Sequence, residues 1–264
     1  MPVAAAARGL SAAAALVRAH DRDRFQTALF APASRREALF ALYAFNYEIA
    51  RVRDAVREPM LGHIRLQWWR EAVETAFSSG APRGHQIVLP LTAAIREYGL
   101  DRGGFDRLID SRERDLDDEP PPTLAALEDY AAASSGALAA LAAALLGARK
   151  PAAQDAAEAV GTGYALAGLL RAAPYRKAAG RPALPPGVGI PEIAAAARRH
   201  LARARADRRA VPRAALAALL PAVIASHYLR RLERAGCDPF APELANSDPL
   251  QSWRLLAAAL RNRF

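Results

Sequence analysis

The sequence predicts an all-α protein, and three observations carry that reading. Hydrophobic residues make up 52% of the 264 positions, and alanine and leucine dominate them; with arginine and glutamate these are the strong helix formers. Apolar residues recur at three- and four-residue steps in one segment after another. Valine and isoleucine are sparse, and no alternating strand pattern stands out. A chain this long can bury a sizeable core. No internal repeat emerges and no linker is long enough to divide it, so residues 1–264 are expected to form one domain.

The elements follow from periodicity and stop signals. The Ala-rich start reads as an ordinary first helix. The first strong helix begins at Ser34, a candidate cap, and runs to about Val56, with Leu39, Leu42, Phe45, Ile49, Val52 and Val56 forming one apolar stripe. A second face carries Tyr43, Tyr47, Ala50 and Asp54, which suits a helix bordering a cavity or partner. Glu58-Pro59 breaks the chain before a helix with Ile64, Trp68 and Ala72 in register. Two helices follow in "IVLPLTAAIREYGL" and "FDRLIDSRERDL", then a Pro-rich acidic loop. Thr123 is a candidate cap for a long helix ending near Leu146. The next helix is expected to end at a turn at Pro174. Beyond it come an Arg-rich helix over Ile193–Arg209 and another over Arg213–Ala235. A last helix is capped by Asp248, with Pro249 at its first position and Leu250, Trp253, Ala257 and Leu260 facing inward.

Composition excludes several classes. A single cysteine, Cys237, excludes an internal disulfide and a cysteine-built metal site. The longest apolar run, Gly136 to Ala148, is shorter than the roughly 20 residues of a membrane span. The net charge of +9 favours acidic partners, but no nucleic-acid motif accompanies it, so nucleic acid is not expected. An anionic membrane surface, met by the arginines between Arg198 and Arg209, fits that charge better; a solvated face is the plainer reading. The histidines lack metal-ligand spacing. Trp68, Trp69 and Trp253 read as packing residues.

With the elements in place, the chain resembles the squalene/phytoene synthase family over nearly its whole length. "ASRREALFALYAFNYEIARVRD" resembles the family's first signature and "RLQWWREAVE" its Trp-Arg helix. "FDRLIDSRERDL" is similar to its "LIDGxxxDL" helix, and "LLRAAPYRKAAGRPALP" aligns without a gap to "ILRDVxEDxxxGRxYLP". The order of these matches strengthens each. The resemblance implies an isoprenoid-synthase-like helical bundle around a central cavity. In active members two Asp-rich motifs face each other there and hold magnesium ions against prenyl diphosphates.

This chain departs at those motifs. The first motif's acids map onto Ala50, Arg51 and Asp54, and the second's onto Ala172 and Arg176. Gly168 and Ala165 stand where an Asn and a Gln are usual, while Arg171, Gly180, Arg181, Leu184 and Pro185 are retained. A guanidinium about 5 Å from a divalent ion, at an effective dielectric near 20, is repelled by about 6–7 kcal/mol. No cofactor is therefore expected, and magnesium only if the protein were an active prenyltransferase. Glu48, Arg51 and Asp54 read instead as an ion-pair run at three-residue spacing. "AFNYEIARVRD" and "LRAAPYR" are similar to a non-catalytic branch that includes a mitochondrial complex I assembly factor. That branch implies complex I subunits or other assembly factors as partners. The implied location is the inner membrane's cytoplasmic face in a bacterium or its matrix side in a mitochondrion. Two alternatives stay open: a head-to-head prenyltransferase, and a metal-free isoprenoid or lipid binder in which Arg51, Arg171 and Arg176 pair with phosphate. Tyr43, Tyr47, Asp115, Tyr164, Arg171 and Tyr175 are the candidate cavity or ligand residues. Arginines are expected to cross the former metal site to Asp54 or Asp115.

Overall fold

The computed structural model describes residues 9–56, 58–117, 119–180, 184–246 and 248–264. Every regular element among them is helical. Short polar side chains start several of these helices. Ser11 Oγ accepts from Ala14 N at the head of α1 (Ala12–His20), and Asp21 Oδ1 from Arg24 N at the head of α2 (Arg22–Ala28). Thr123 Oγ1 accepts from Ala126 N at the head of the helix it was expected to cap.

The first long helix, α3 (Ala33–Ala50), starts behind Pro32 with no side-chain cap from Ser34, and it does not reach Val56. It stops at Arg51, and a single turn, α4 (Val52–Ala55), follows. The expected stripe is buried from Leu39 to Val52. After it come α5 (Pro59–Phe77), α6 (Val88–Tyr98) and α7 (Arg102–Glu113), the last running into a 3-10 turn at Arg114–Leu116. In α5 the buried positions are Gly62, Leu66, Trp69, Ala72, Val73 and Ala76, whereas Ile64 is exposed.

The long helix expected after Thr123 is three pieces: α8 (Leu124–Ala131), a π-helical turn (Ala132–Gly136) and α9 (Ala137–Leu145). The insertion makes room for a close crossing with α10 (Pro151–Ala178). A Cβ at Gly161 of α10 would lie 2.2 Å from the Ser135 carbonyl oxygen, so only glycine fits there. α10 also corrects the expected turn at Pro174. The helix continues through it to Ala178, since proline near the end of 28 residues forfeits only the bond to the Leu170 carbonyl.

The Arg-rich helix is α11 (Ile190–Ala206). The expected helix from Arg213 is broken at Leu220-Pro221 into α12 (Leu216–Leu219), preceded by a 3-10 turn, and α13 (Pro221–Arg234). The chain closes with α14 (Pro242–Ala245) and α15 (Gln251–Leu260). α15 starts after Pro249 rather than at it, because Asp248 Oδ1 accepts from Leu250 N and holds a turn there. The side of α15 expected to face inward faces out: Leu250, Trp253 and Leu260 are exposed, and Leu255 is its buried residue. One contiguous apolar core joins residues from α1 to α15. α3 packs on α1, α6, α7 and α9, while α10 packs on α8, α9, α11 and α13, so α9 bridges the two helices that carry the signature segments.

Candidate functional site

The face of α10 that carries Ala165, Gly168, Ala172 and Arg176 recurs every three or four residues and is partly exposed along its length. A Cβ at Gly168 would meet nothing within 4 Å, so this face borders open space. Arg176 is half-buried, and its charge reaches the Tyr130 phenol. On the α3 side Ala50 is half-buried, and both Arg51 and Asp54 are exposed. Arg51 turns back along its own helix, 3.7 Å from Glu48 and over the Tyr47 ring. The expected ion-pair run thus has its Glu48–Arg51 half in place.

Two polar clusters lie inward of these positions, and the sequence reading had named only some of their members. In the first, Arg24 of α2 reaches into the bundle, its side chain 13% exposed. It donates to Asp21 Oδ2 at 2.7 Å and to Ser135 Oγ of the π-turn at 2.8 Å. Its guanidinium lies 5.0 Å from the Tyr164 ring centroid and 5.9 Å from that of Tyr43. Burial opposes the Arg24 charge, but Asp21 and the two tyrosines outweigh it and hold the pKa above the ordinary value. Burial pushes the phenols of Tyr43 and Tyr164 well above their usual range, so both are neutral donors. The Tyr164 hydroxyl donates to Asp23 Oδ2 at 3.0 Å, and Arg171 pairs with the same oxygen at 2.9 Å. Gln251 of α15 donates to Asp23 Oδ1 at 2.9 Å. Burial works against the Asp23 carboxylate, yet Arg171 and the hydrogen bonds from Gln251, Arg171 and Tyr164 leave its pKa below the ordinary 3.8.

The second cluster is built on α7. Arg112 donates to Asp115 Oδ2 at 3.1 Å, to the Tyr130 hydroxyl at 2.9 Å and, more weakly, to Asn46 Oδ1 of α3 at 3.4 Å. The Tyr130 hydroxyl donates in turn to Asp115 Oδ1 at 2.8 Å. Burial, with Asp115 alongside, pushes the Tyr130 phenol up to about 12 against the pull of Arg112. Arg112 Nε is buried with no hydrogen-bond partner. The expectation that Arg51 or Arg176 would cross to Asp115 is corrected: Asp115 is held by Arg112, three residues earlier on the same turn of chain.

The candidates therefore separate. Tyr43 and Tyr164 share Arg24, and Arg171 joins them through Asp23. Asp115 belongs to the second cluster. Tyr47 is covered by His20, the rings stacked at 4.4 Å. Tyr175 is 78% exposed and stands apart, on a 550 Å³ cleft between α2, α10, α13 and α15 that Arg171, His227, Tyr228 and Phe240 also line. Arg181 of the retained segment lies outside the described residues. Arg24, Asp21, Asp23, Arg112 and Tyr130 escaped sequence reasoning. Asp21, Asp23 and Arg24 sit in the alternating "DRDR" at Asp21–Arg24, which reads as an ordinary solvated run, and Arg112 in "FDRLIDSRERDL", whose family match did not single it out.

The donor set does not suit a hard divalent cation. The mapped positions offer one carboxylate, Asp54, with Ala50, Arg51, Ala172 and Arg176 in the other places, and Asp21, Asp23 and Asp115 are already engaged by arginines. Among the described residues no group of three or more His, Cys, Asp or Glu could hold a metal ion.

A helical bundle with a polar interior between its two signature helices is the architecture of the isoprenoid synthases. Residues 17–187 match squalene/phytoene synthase, and the chain belongs to that family. Among its relatives it is 31% identical, over 90% of its length and 80% of the other's, to human NADH dehydrogenase (ubiquinone) complex I, assembly factor 6. The mouse protein of that name is 32% identical with the same coverage. A presqualene diphosphate synthase of Rhodopseudomonas palustris is 32% identical over 100 residues, covering 38% of this chain and 35% of that protein. A dehydrosqualene synthase structure with bound ligand superposes with a TM-score of 0.80 at 16% identity, covering 94% of each chain. A squalene synthase from Alicyclobacillus acidocaldarius gives 0.76 at 20% identity, over 86% of this chain and 94% of that one. The fold is thus the family's helical fold.

Proposed function

We propose that this protein is a non-catalytic member of the family that assists the assembly of respiratory complex I, using the prenyl-synthase bundle as a binding scaffold. The observation that carries the reading is identity of about 30% over 90% of the chain to proteins named as complex I assembly factor 6. The site's chemistry supports it: alanine and arginine occupy four of the five mapped acid positions. The partners would be complex I subunits or other assembly factors, met at the membrane where that complex is built, and no cofactor would be needed. Deleting the gene should deplete assembled complex I on native gels and leave squalene and phytoene content unchanged. Intact complex I together with lost squalene or phytoene would overturn the proposal. So would turnover of labelled farnesyl diphosphate with magnesium by the purified protein.

One observation favours a second reading, a metal-free isoprenoid or lipid binder. Among the described residues Arg176 has no acidic partner, and it lies beside Tyr130 on the α10 face that borders open space. Its guanidinium could pair directly with a phosphate. Tight binding of a farnesyl diphosphate analogue in the presence of a chelator, lost in Arg176→Ala, is the result this reading requires.

A further inference from the structure

The apolar side of α15 has no cover among the described residues. Trp253 is 68% exposed, Leu260 71% and Leu250 52%, with Leu256 between them, and at 3.6 residues per turn they form one stripe opposite the buried Leu255. The stripe ends in a basic cluster. Arg261 and Arg263 follow the helix directly, and Arg205 of α11 and Arg208 of the 3-10 turn after it (Arg208–Ala210) reach the same place. Arg205 Nε donates to the Phe264 carbonyl at 2.8 Å and Arg208 to that of Asn262 at 3.5 Å. Arg230 of α13 lies close enough to Arg205 to lower its pKa, after burial. None of these five arginines has an acidic partner among the described residues. The sequence had pointed to the whole Arg198–Arg209 run, but Arg198 is committed to Glu233 and Arg199 to Glu128. The available charge is therefore at the end of the run beside α15.

We propose that α15 docks this protein on anionic lipid bilayers, with Trp253, Leu256 and Leu260 entering the headgroup boundary and Arg205, Arg208, Arg230, Arg261 and Arg263 meeting acidic headgroups. Apolar residues flanked by cations are the composition of an interfacial helix. A second copy docked through the same face would bring like-charged clusters together, which opposes dimerisation here. The docking is independent of the assembly reading, so the two fail separately.

The test uses the full chain and vesicles of phosphatidylcholine, alone or with about one-third phosphatidylglycerol. Flotation should show binding to the anionic vesicles only, fading as salt rises. Arg261→Glu/Arg263→Glu should weaken it at least about 25-fold, from about fivefold per engaged cation. Trp253→Ser/Leu260→Ser should weaken it at least about tenfold. These positions are exposed, so circular dichroism should show the native helical signal in both variants. Tryptophan emission should shift blue on binding, and Trp253→Phe should abolish that shift while Trp68 and Trp69 remain. Equal binding to neutral vesicles, full binding by either folded variant, or a blue shift that survives Trp253→Phe would each overturn the proposal. Protein self-association that the Trp253/Leu260 variant abolishes, without vesicle binding, would overturn it in favour of a dimer contact.

Discussion

The Asp21–Arg24 pair gives the sharpest test of how the interior is held together. Both side chains are largely buried, at 18% and 13% exposure, with 2.7 Å between the charged atoms. At an effective dielectric near 20 that separation corresponds to a gross attraction of about 6 kcal/mol, most of it offset by the desolvation of both groups. Asp21→Asn removes the charge but leaves an oxygen able to cap α2, so it isolates the pair from the cap. Leaving a buried cation without its partner costs about 3–5 kcal/mol. Ser135 and the Tyr43 and Tyr164 rings still hold the guanidinium, which places the expected loss near about 3 kcal/mol. For a chain of this size that is about 6–12 °C in melting temperature.

Arg24→Met should be milder, and the double variant should be no worse than Asp21→Asn alone. That leaves a coupling energy of about 2 kcal/mol in a double-mutant cycle. Urea unfolding of the four proteins, followed by circular dichroism, measures it. A loss below about 1 kcal/mol for Asp21→Asn, or strictly additive single variants, would refute the claim that this pair is desolvated and coupled.

The remaining predictions concern titration, packing and charge. The Asp23 pKa is depressed, so its contribution is present above the unfolded value near 3.8 and lost as the pH falls through the folded value; Asp23→Asn should flatten that acid limb in urea midpoints. His227 is held below 6.5 because burial and Arg254 outweigh Asp248, to which the neutral ring can donate at 3.3 Å. Stability should therefore fall as the pH drops below 6.5, and His227→Gln should reduce that slope. Gly161→Ala sets a methyl against the Ser135 backbone, which side-chain rotation cannot relieve, so a loss of about 3 kcal/mol is expected in thermal unfolding. Ala50→Asp/Arg51→Asp/Ala172→Asp/Arg176→Asp should gain magnesium binding by calorimetry without restoring turnover; no gain would separate the two mapped motifs in space.

Periodicity located most helices, because burial of an apolar stripe leaves a record in the spacing of side chains. It did not say which way a stripe faces. Ile64 on α5 and Trp253 on α15 both sit in regular apolar rows, yet both point outward, and only the packing of neighbouring helices decides that. The breaks at Arg51 and in the π-turn were invisible for a related reason: local composition favours helix on both sides, and the interruption answers a tertiary demand, as at Gly161. The break at Leu220-Pro221 had a local signal, the proline itself, which the apolar periodicity around it masked. A motif gave Ala50, Ala172 and Arg176 an order to be compared with, which is what singled them out in the sequence. Charges that sit in mixed runs offered no such order. Arg24 and Arg112 look like solvated arginines in "DRDRF" and "DSRERDL". Their burial depends on Ser135, Tyr130 and Asn46, which arrive from other helices.

Charge sets what the site can hold as much as its ligands do. The five mapped positions carry one carboxylate, Asp54, against two guanidinium groups, Arg51 and Arg176. The charges packed inside pair among themselves: Asp21 with Arg24, Asp115 with Arg112, Asp23 with Arg171. Each of these carboxylates has a guanidinium at hydrogen-bonding distance, so none is left as an uncompensated charge. Arg176 stands outside those pairs, on the face that borders open space. An anion or an acidic side chain approaching that face meets the Arg176 guanidinium, which opposes a cation.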